Sequence, residues 1–210
     1  MSGLFVTFEG GEGSGKSTQV ARLAARLRAM GHDPLVTREP GGTSVGEGIR
    51  ALLLDHERRP SPMTEALLMV ASRAQLTASV LRPALETGRV VLCDRFGDST
   101  LAYQGGGRGI DHALLLELNR AATGGLVPAL TMLFDVPVPV GLDRRHGSAG
   151  ATNRLDREPP EFHERVRRRY LELAASEPDR WRVLDGTVGE NELEARIWEI
   201  FGPRLSLARS

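Results

Sequence analysis

Apolar residues along the chain follow two kinds of pattern, and the two kinds alternate. Short, nearly continuous apolar runs are typical of strands that are buried on both faces of a parallel sheet. Between these runs, apolar residues recur at spacings of three and four, which indicates amphipathic helices. The alternation predicts an α/β, three-layer fold with a central five-stranded parallel sheet flanked by helices. The predicted strands are Leu4–Phe8, Pro34–Thr37, Val90–Cys93, Ala129–Phe134 and Trp181–Leu184.

Several of the predicted helices have clear start and stop residues. Gly31 follows the first helix at the position where glycine commonly ends one. Ser61 and Pro62 fit the N-cap and first turn of a long helix, which we expect to bend at Pro83. The predicted helices are Gly15–Met30, Thr43–Leu54, Ser61 to about Thr87, Asp111–Ala122, Pro160–Ala175 and Glu190–Phe201.

One stretch fits neither pattern. The segment His146–Asn153 is small, polar and rich in Gly and Ala, which is typical of a flexible loop. Its rim is cationic, because arginines flank it on both sides, at Arg144, Arg145, Arg154 and Arg157. The sequence therefore predicts a lid over about residues 144–157, and a closed lid excludes water from a reaction.

Composition narrows the class of protein. The 210 residues, of which 40% are apolar and 26% charged, fit a soluble globular chain with one domain over 1–210. Basic and acidic residues balance at 27 each, which argues against a nucleic-acid partner. The N-terminal residues resemble no secretion signal, and no apolar run approaches the roughly 18 residues of a membrane span. Because Cys93 is the single cysteine, an intrachain disulfide is excluded, and we expect a cytoplasmic protein.

The clearest motif is a phosphate-binding loop. Gly10–Ser17 matches G-x-x-x-x-G-K-[ST] in full, between a predicted strand and a predicted helix. In such a P-loop, main-chain N–H groups and the helix N-terminus hold phosphates. Lys16, the only lysine in the chain, is expected on the β/γ-phosphates of ATP and Ser17 on Mg²⁺. The residues predicted around the ATP phosphates are Gly10, Gly11, Glu12, Gly13, Ser14, Gly15, Lys16, Ser17 and Thr18.

The remaining polar residues favour a kinase of small molecules over other P-loop proteins. The chain has neither the N-K-x-D nor the D-x-x-G element of a GTPase. Asp94 and Asp135 each end a predicted strand, and a carboxylate there can hold Mg²⁺. We favour Asp94 because Arg95 follows it; a structural Asp94–Arg95 ion pair and a helix-capping Asp135 are the alternatives. Arginine suits phosphoryl transfer because its planar guanidinium can donate hydrogen bonds to two phosphate oxygens at once. The candidate arginines outside the lid are Arg38, Arg50 and Arg95.

At this point the sequence resembles the thymidylate kinase (dTMP kinase) family of P-loop nucleoside monophosphate kinases, from about Leu4 to Tyr170. Phe8-Glu9-Gly10 with the P-loop is similar to the opening of the family, and Asp94-Arg95 to its Asp-Arg motif. Arg38–Thr43 (REPGGT) and Ser99–Asp111 (STLAYQGGGRGID) resemble more specific motifs, the second in its bacterial form. The resemblance implies the reaction ATP + dTMP ⇌ ADP + dTDP with Mg²⁺, in a homodimer.

The resemblance also implies residue roles. It places Arg73 at the thymine carbonyl, Thr100 at the ring N–H, and Tyr103 beneath the sugar. Glu9 matches an acid near the acceptor sugar and phosphate. Acceptor contacts are implied for Glu9, Arg38, Arg50, Met69, Arg73, Arg95, Ser99, Thr100, Tyr103 and Gln104.

Some members of the family carry a catalytic arginine in the P-loop and others in the lid. This P-loop has Glu12 and no arginine, which is similar to the lid kind and makes Arg145 and Arg154 the leading candidates. The implied catalytic set is therefore Lys16, Arg95, Glu9, Arg145 and Arg154. Met69 departs from the family, which usually has an aromatic residue four positions before the base-reading arginine. A kinase for another nucleotide or metabolite, and a nucleotide-binding regulator without transfer chemistry, remain alternative hypotheses.

Overall fold

The sheet lies at the centre of the molecule. The structure, a computed structural model, describes residues 3–147 and 152–207. Its strands are β1 (Leu4–Gly10), β2 (Leu35–Arg38), β3 (Val90–Asp94), β4 (Leu130–Asp135) and β5 (Trp181–Asp185). Within the described residues, these five strands form one parallel sheet in the order β2-β3-β1-β4-β5. The predicted α/β fold with a five-stranded parallel sheet is confirmed.

Helices cover both faces of this sheet. They are α1 (Lys16–Ala29), α2 (Ser44–Leu54), α3 (Pro62–Leu76), α4 (Arg82–Glu86), α5 (Gly97–Thr100), α6 (His112–Thr123), α7 (Val138–His146), α8 (Pro160–Ser176) and α9 (Glu190–Leu207). Two π-helical segments, Thr77–Leu81 and Leu101–Gly107, link α3 to α4 and extend α5. Among the described helices, none is long and apolar enough to cross a membrane.

The long helix predicted to bend at Pro83 changes its geometry earlier. Its α-helical part ends at Leu76, and the π-helical turn Thr77–Leu81 precedes α4. Proline lacks the N–H that would bond to the carbonyl four residues before it, so the α-helical ladder cannot run unchanged through Pro83. The wider π-turn lies in the residues just before this gap.

Two helical stretches are missed by the sequence pattern. Helix α7 begins in a Val-Pro-Val-Pro run, where proline is compatible with the first helical turn. Helix α5 is continued by the π segment Leu101–Gly107, which ends in three consecutive glycines, a run that is typical of a loop. Glycine is needed at positions 106 and 107 because α8 packs closely there. A Cβ on Gly107 would lie 2.5 Å from the ring of Phe162, and one on Gly106 would lie 2.6 Å from the Cβ of Arg169. Packing on α8 therefore overrides the low helix propensity of glycine.

The core lies on both faces of the sheet. On one face, Phe8 and Phe134 pack with side chains of α1 and α9, including Leu27 and Phe201. On the other face, separate clusters pack under α3 and under α8. The burial of each such large apolar side chain contributes roughly 1.5–3 kcal/mol. This packing fixes the carboxyl ends of the strands at one edge, where ligands commonly bind in open α/β sheets.

Candidate active site

The P-loop connects β1 to α1 and lies against α7. Gly13 has a φ of +64°, and a Cβ there would overlap the carbonyl oxygen of Gly141 in α7. Glycine is therefore required by both conformation and space. The same close approach ties the phosphate-binding loop to the helix that carries Arg144 and Arg145.

Lys16 lies inside this loop. Its Nζ donates hydrogen bonds to the carbonyl oxygens of Gly10 (3.1 Å) and Gly11 (2.7 Å) and to Ser14 Oγ (3.0 Å). Burial, helped by the nearby positive charge of Arg95, lowers the pKa of Lys16 to about 8. An incoming anion stabilises the ammonium form, so we expect phosphate binding to raise this pKa.

Two cavities open at the carboxyl edge of the sheet. The larger, which we call the P-loop cavity, has a volume of about 860 Å³ and is lined by the P-loop from Glu12 onward. The smaller, which we call the second cavity, measures about 100 Å³ and lies beside α2 and α3. Of the described residues, five line both cavities: Glu12, Glu39, Arg50, Arg95 and Asn153. The two spaces therefore adjoin, and Arg95 and Arg50 lie at their junction.

A candidate metal position lies in the P-loop cavity. Ser17 Oγ donates a hydrogen bond to Asp94 Oδ2 (2.5 Å), and both residues line this cavity. A hydroxyl and a carboxylate are the hard oxygen ligands that Mg²⁺ prefers, so the pair fits that ion. Asp135, the alternative acid, instead accepts two hydrogen bonds from Arg167 of α8 (2.7 and 2.9 Å). The suggestion that Asp135 caps the following helix is wrong, because Pro137 occupies the N-cap position of α7.

Arg95 is held in an unusual backbone conformation between the cavities. Its φ of +72° is the single positive value for a non-glycine within the described residues. Such a conformation costs of order 1–3 kcal/mol and persists where the surroundings hold it. Its Nη1 donates to the Gly10 carbonyl (3.0 Å) and its Nη2 to Glu12 Oε1 (2.9 Å). Its guanidinium carbon lies 4.9 Å from the ring centre of Tyr103.

Glu12 is the acidic partner in this junction. Besides Arg95, it accepts a hydrogen bond from the Tyr103 hydroxyl (2.7 Å). Burial alone raises the pKa of a carboxyl, but the charges of Arg95 and Lys16 outweigh it and lower the pKa of Glu12 to about 2. Glu12 is therefore ionised at neutral pH and faces both cavities, whereas the sequence placed it only among the ATP-phosphate residues.

The arginines around the predicted lid face different spaces. Residues 148–151 of the lid lie outside the described residues. Arg144 and Arg145 belong to the last turn of α7, not to a loop rim. Arg144 and Arg145 both line the P-loop cavity; Arg145 pairs with Asp156 (3.1 Å), and Arg144 donates to the carbonyl oxygen of Gly186 (2.7 Å). Arg154 lines the second cavity.

Three predicted acceptor contacts lie one layer behind the cavity walls. Glu9 is fully buried and accepts hydrogen bonds from the Phe96 N–H, Ser99 and Tyr170. Arg73 and Thr100 are also fully buried, and Arg73 Nη1 donates to Thr100 Oγ1 (3.0 Å). In the described part of the chain, none of the three belongs to the lining of either cavity.

Burial and the Asp98 charge raise the pKa of Glu9 to about 7, and burial raises that of Glu39, the ion-pair partner of Arg73, to about 7 as well. Glu9 lines neither cavity and holds Phe96, Ser99 and Tyr170 in place, whereas Glu39 pairs with Arg73 and also lines both cavities.

The other predicted acceptor residues lie at or near the cavities. Met69, Ser99, Tyr103 and Gln104 line the second cavity, together with Arg50 and Arg95. Arg38 lines the P-loop cavity and pairs with Glu47 (2.8 Å). The structure thus brings α2, α3, α5 and the π segment Leu101–Gly107 to one side of the P-loop.

A further wall of the P-loop cavity was missed by sequence reasoning. It is formed by the turn after β5 and the start of α9, at Gly186, Thr187, Val188, Gly189, Glu190 and Leu193. These residues carry no motif, but they follow the carboxyl end of a parallel strand. The topology rule for ligand sites in open α/β sheets could have located them.

The fold and the two adjoining cavities identify the class of protein. A P-loop on a parallel sheet, with an adjoining second cavity rimmed by arginines, belongs to a P-loop enzyme that handles two ligands, at least one of them phosphorylated.

Comparison with known proteins narrows the class. The family model described as thymidylate kinase matches residues 8–197. A thymidylate kinase from Deinococcus radiodurans is 53% identical over 202 residues, covering 96% of this chain and 98% of that protein. One from Thermomicrobium roseum is 56% identical over 194 residues, covering 92% of each chain.

A solved structure agrees with these sequence matches. The crystal structure of thymidylate kinase from Ehrlichia chaffeensis superposes with a TM-score of 0.77 at 31% identity, covering 96% of this chain and 99% of that one. The chain belongs to the thymidylate kinase family, whose members are phosphotransferases that convert dTMP to dTDP. The resemblance stated from the sequence is confirmed.

Proposed function

We propose that this chain phosphorylates dTMP with ATP, with ATP in the P-loop cavity and dTMP in the second cavity. The observation that carries this arrangement is the shared wall between the two cavities, where Arg95 and Arg50 line both. A phosphate from each side can meet there. Phosphoryl transfer requires two such groups in line, with their charge neutralised.

In the proposed reaction, the residues on the two sides of this junction hold different phosphates. An oxygen of the dTMP phosphate attacks the γ-phosphorus of ATP, and the bond from that phosphorus to the ADP oxygen breaks. Lys16 and the P-loop amides hold the donor phosphates, and Arg95 holds the acceptor phosphate against them. Arg145 lines the P-loop cavity and Arg154 the second cavity. We assign Arg145 to the transferred group and Arg154 to the acceptor side.

Mg²⁺ fits the same scheme through Ser17 and Asp94. When bound, the ion neutralises charge on the donor phosphates and orients them. The wall at Val188 and Leu193 offers apolar contact in the P-loop cavity, which suits the nucleoside end of ATP.

An acceptor panel tests the assignment. With ATP and Mg²⁺, ADP formation is expected to depend on dTMP, with dUMP weaker and dCMP and dGMP poor. The Lys16→Ala variant is expected to lose about 10²–10³-fold in kcat, because a charged donor to the phosphates is removed. Its circular dichroism spectrum should match that of the wild type. Turnover of AMP or CMP without turnover of dTMP would contradict the proposal.

We also propose a homodimer. Apolar side chains on neighbouring helices are exposed in the single chain, among them Leu67 of α3 (48% exposed) and Leu114 of α6 (42%). A second copy would remove this surface from water and gain roughly 25 cal/mol per Å². Sedimentation equilibrium should give twice the 22.8 kDa chain mass, and a monomer at micromolar concentration would contradict the proposal.

A cytoplasmic location is the last part of the proposal. Cys93, the single cysteine, is a free and buried thiol, as in proteins of reducing compartments. Cell fractionation with an antibody to the chain tests this location.

A further inference from the structure

Glu65 of α3 is a buried carboxylate at the edge of the second cavity. Its exposure is 1%, and it lines that cavity. Both of its oxygens accept two hydrogen bonds: Oε1 from Gln104 Nε2 (2.9 Å) and Arg108 Nε (3.2 Å), Oε2 from Arg108 Nη2 (3.1 Å) and Arg154 Nη2 (2.5 Å). The lone-pair positions of the carboxylate, about four in number, are therefore all used as acceptors.

These donors keep Glu65 ionised. Burial disfavours the charged form, but the hydrogen bonds from Arg108, Gln104 and Arg154 outweigh it and lower the pKa. Arg108 also pairs with Glu158 (2.6 Å), which fixes its guanidinium from the other side. The carboxylate is therefore an acceptor with no proton to donate, in a fixed position.

A fixed acceptor sets the orientation of the Gln104 amide. An amide has one donating and one accepting end, and a reversed Gln104 would place its carbonyl oxygen against a carboxylate oxygen. The NH₂ group therefore points to Glu65. The other end, Gln104 Oε1, is buried and has no hydrogen-bond partner among the described residues. Gln104 lines the second cavity, so this unused acceptor belongs to a residue of the cavity wall.

We propose that Glu65 is a positioning residue for pyrimidine specificity, which holds the NH₂ of Gln104 so that the amide oxygen accepts a hydrogen bond from the ring N–H of the acceptor. Thymine and uracil carry a proton on N3, whereas cytosine has a lone pair there. The fixed amide oxygen therefore attracts the N3–H of thymine or uracil and repels the N3 lone pair of cytosine. The inference rests on the proposed placement of dTMP in the second cavity.

The Glu65→Gln variant reverses this orientation with little change in size. Two guanidinium nitrogens, Arg108 Nη2 and Arg154 Nη2, converge on the Oε2 position, so the oxygen of the new amide takes that position and its NH₂ faces Gln104. The Gln104 amide then turns, accepts that bond, and presents NH₂ to the base. We expect the ratio of kcat/KM for dTMP to that for dCMP to fall by about tenfold or more, because a favourable hydrogen bond becomes a mismatch.

Matched variants separate positioning from general structure. Glu194→Gln makes the same change in a half-buried carboxylate of α9 that pairs with Arg22, outside the second cavity, and should leave the ratio unchanged. In a Gln104→Ala background, Glu65→Gln should no longer change the ratio, because the amide it orients is gone. An equal loss for dTMP and dCMP, or an undiminished effect in the Gln104→Ala background, would overturn the proposal.

A wild-type measurement keeps the test independent of how Glu65→Gln folds. A neutron structure of the dTMP complex should show both Gln104 Nε2 deuterons away from the ring, one of them on Glu65. Deuterons directed at the thymine ring would refute the orientation. If the wild type fails to phosphorylate dTMP in the acceptor panel, the proposed function fails instead, and the two failures are distinguishable.

Discussion

The buried ion pair between Arg73 and Glu39 makes a sharp prediction about stability. Both side chains are almost wholly inaccessible, at 0% and 1% exposure, and Arg73 Nη2 lies 2.7 Å from Glu39 Oε2. Arg73 also donates to Asn119 Oδ1 (2.6 Å) and to the Phe96 carbonyl (3.0 Å). An Arg73→Met substitution removes these donors and leaves a buried carboxyl without its counter-charge.

The expected cost is large. Removing one partner of a buried pair typically destabilises by about 3–5 kcal/mol, because the other charge stays desolvated. For a chain of this length, that corresponds to a fall in Tm of roughly 10 °C. The double variant Arg73→Met/Glu39→Gln should recover part of the loss, since it removes the stranded charge. Arg38→Met serves as the control, because its pair with Glu47 is about half exposed and is worth about 1 kcal/mol or less.

The pH dependence adds a second measurement. Burial raises the pKa of Glu39 to about 7 in the folded chain, above its ordinary 4.5. Folding therefore takes up a proton between these values, and stability falls as pH rises through this window. Without Arg73 the pKa rises further, so the gap between Arg73→Met and wild type should widen above pH 7. Urea unfolding at pH 5.5 and 8 measures both effects. A gap within about 1 kcal/mol at pH 8, or one no larger than for Arg38→Met, would refute the reasoning.

Two other predictions follow from buried groups near the site. Burial and Asp98 raise the pKa of Glu9 to about 7, so the stability that Glu9 contributes is present below pH 4.5 and is lost as pH rises to about 7. The Glu9→Gln variant should therefore show a flatter dependence of its urea unfolding free energy on pH over this window. An unchanged slope would contradict this. Gly107→Ala should cost about 1–3 kcal/mol and raise the KM for dTMP, because the added Cβ meets the Phe162 ring. Gly48→Ala should instead stabilise the chain by about 0.5–1 kcal/mol, because position 48 is exposed in a helix and an added Cβ would have nothing within 4 Å. Thermal unfolding of both glycine variants, together with acceptor kinetics, measures the difference. Similar Tm values for the two variants would contradict the prediction.

The sequence predicts those parts of the fold that depend on local pattern. The strands and most helices follow from hydrophobic periodicity, and the P-loop follows from a contiguous motif. The predicted Ser17–Asp94 proximity also appears in the structure, because β1 and β3 are neighbours and their carboxyl ends meet. Parallel topology converts two distant strand ends into one site.

What the sequence does not predict depends on contacts between distant residues. Gly105–Gly107 read as a loop, yet close packing on α8 makes them helical. Arg144 and Arg145 both line the P-loop cavity, but adjacent helical residues point about 100° apart, so Arg144 holds the turn after β5 whereas Arg145 pairs with Asp156. Glu65 belongs to no motif, and the REPGGT stretch that contains Glu39 does not indicate its partner, so the folded chain is needed to show which donors surround these two acids.

The acids also explain why a chain with one lysine uses so many arginines in its site. Arg95 is held by Glu12, Arg145 by Asp156 and Arg154 by Glu65. A guanidinium has five N–H groups in a flat fork, so one edge can be fixed by a carboxylate while another faces a ligand. An ammonium is a compact, flexible point charge and is fixed less well in this way. Arginines held by acids are thus positioned before the phosphates bind. These side chains therefore lose less conformational entropy when the phosphates arrive and are already oriented for the transfer. Lys16 lies within the P-loop, where main-chain carbonyls fix it instead, so the single ammonium occurs where the backbone itself supplies the positioning.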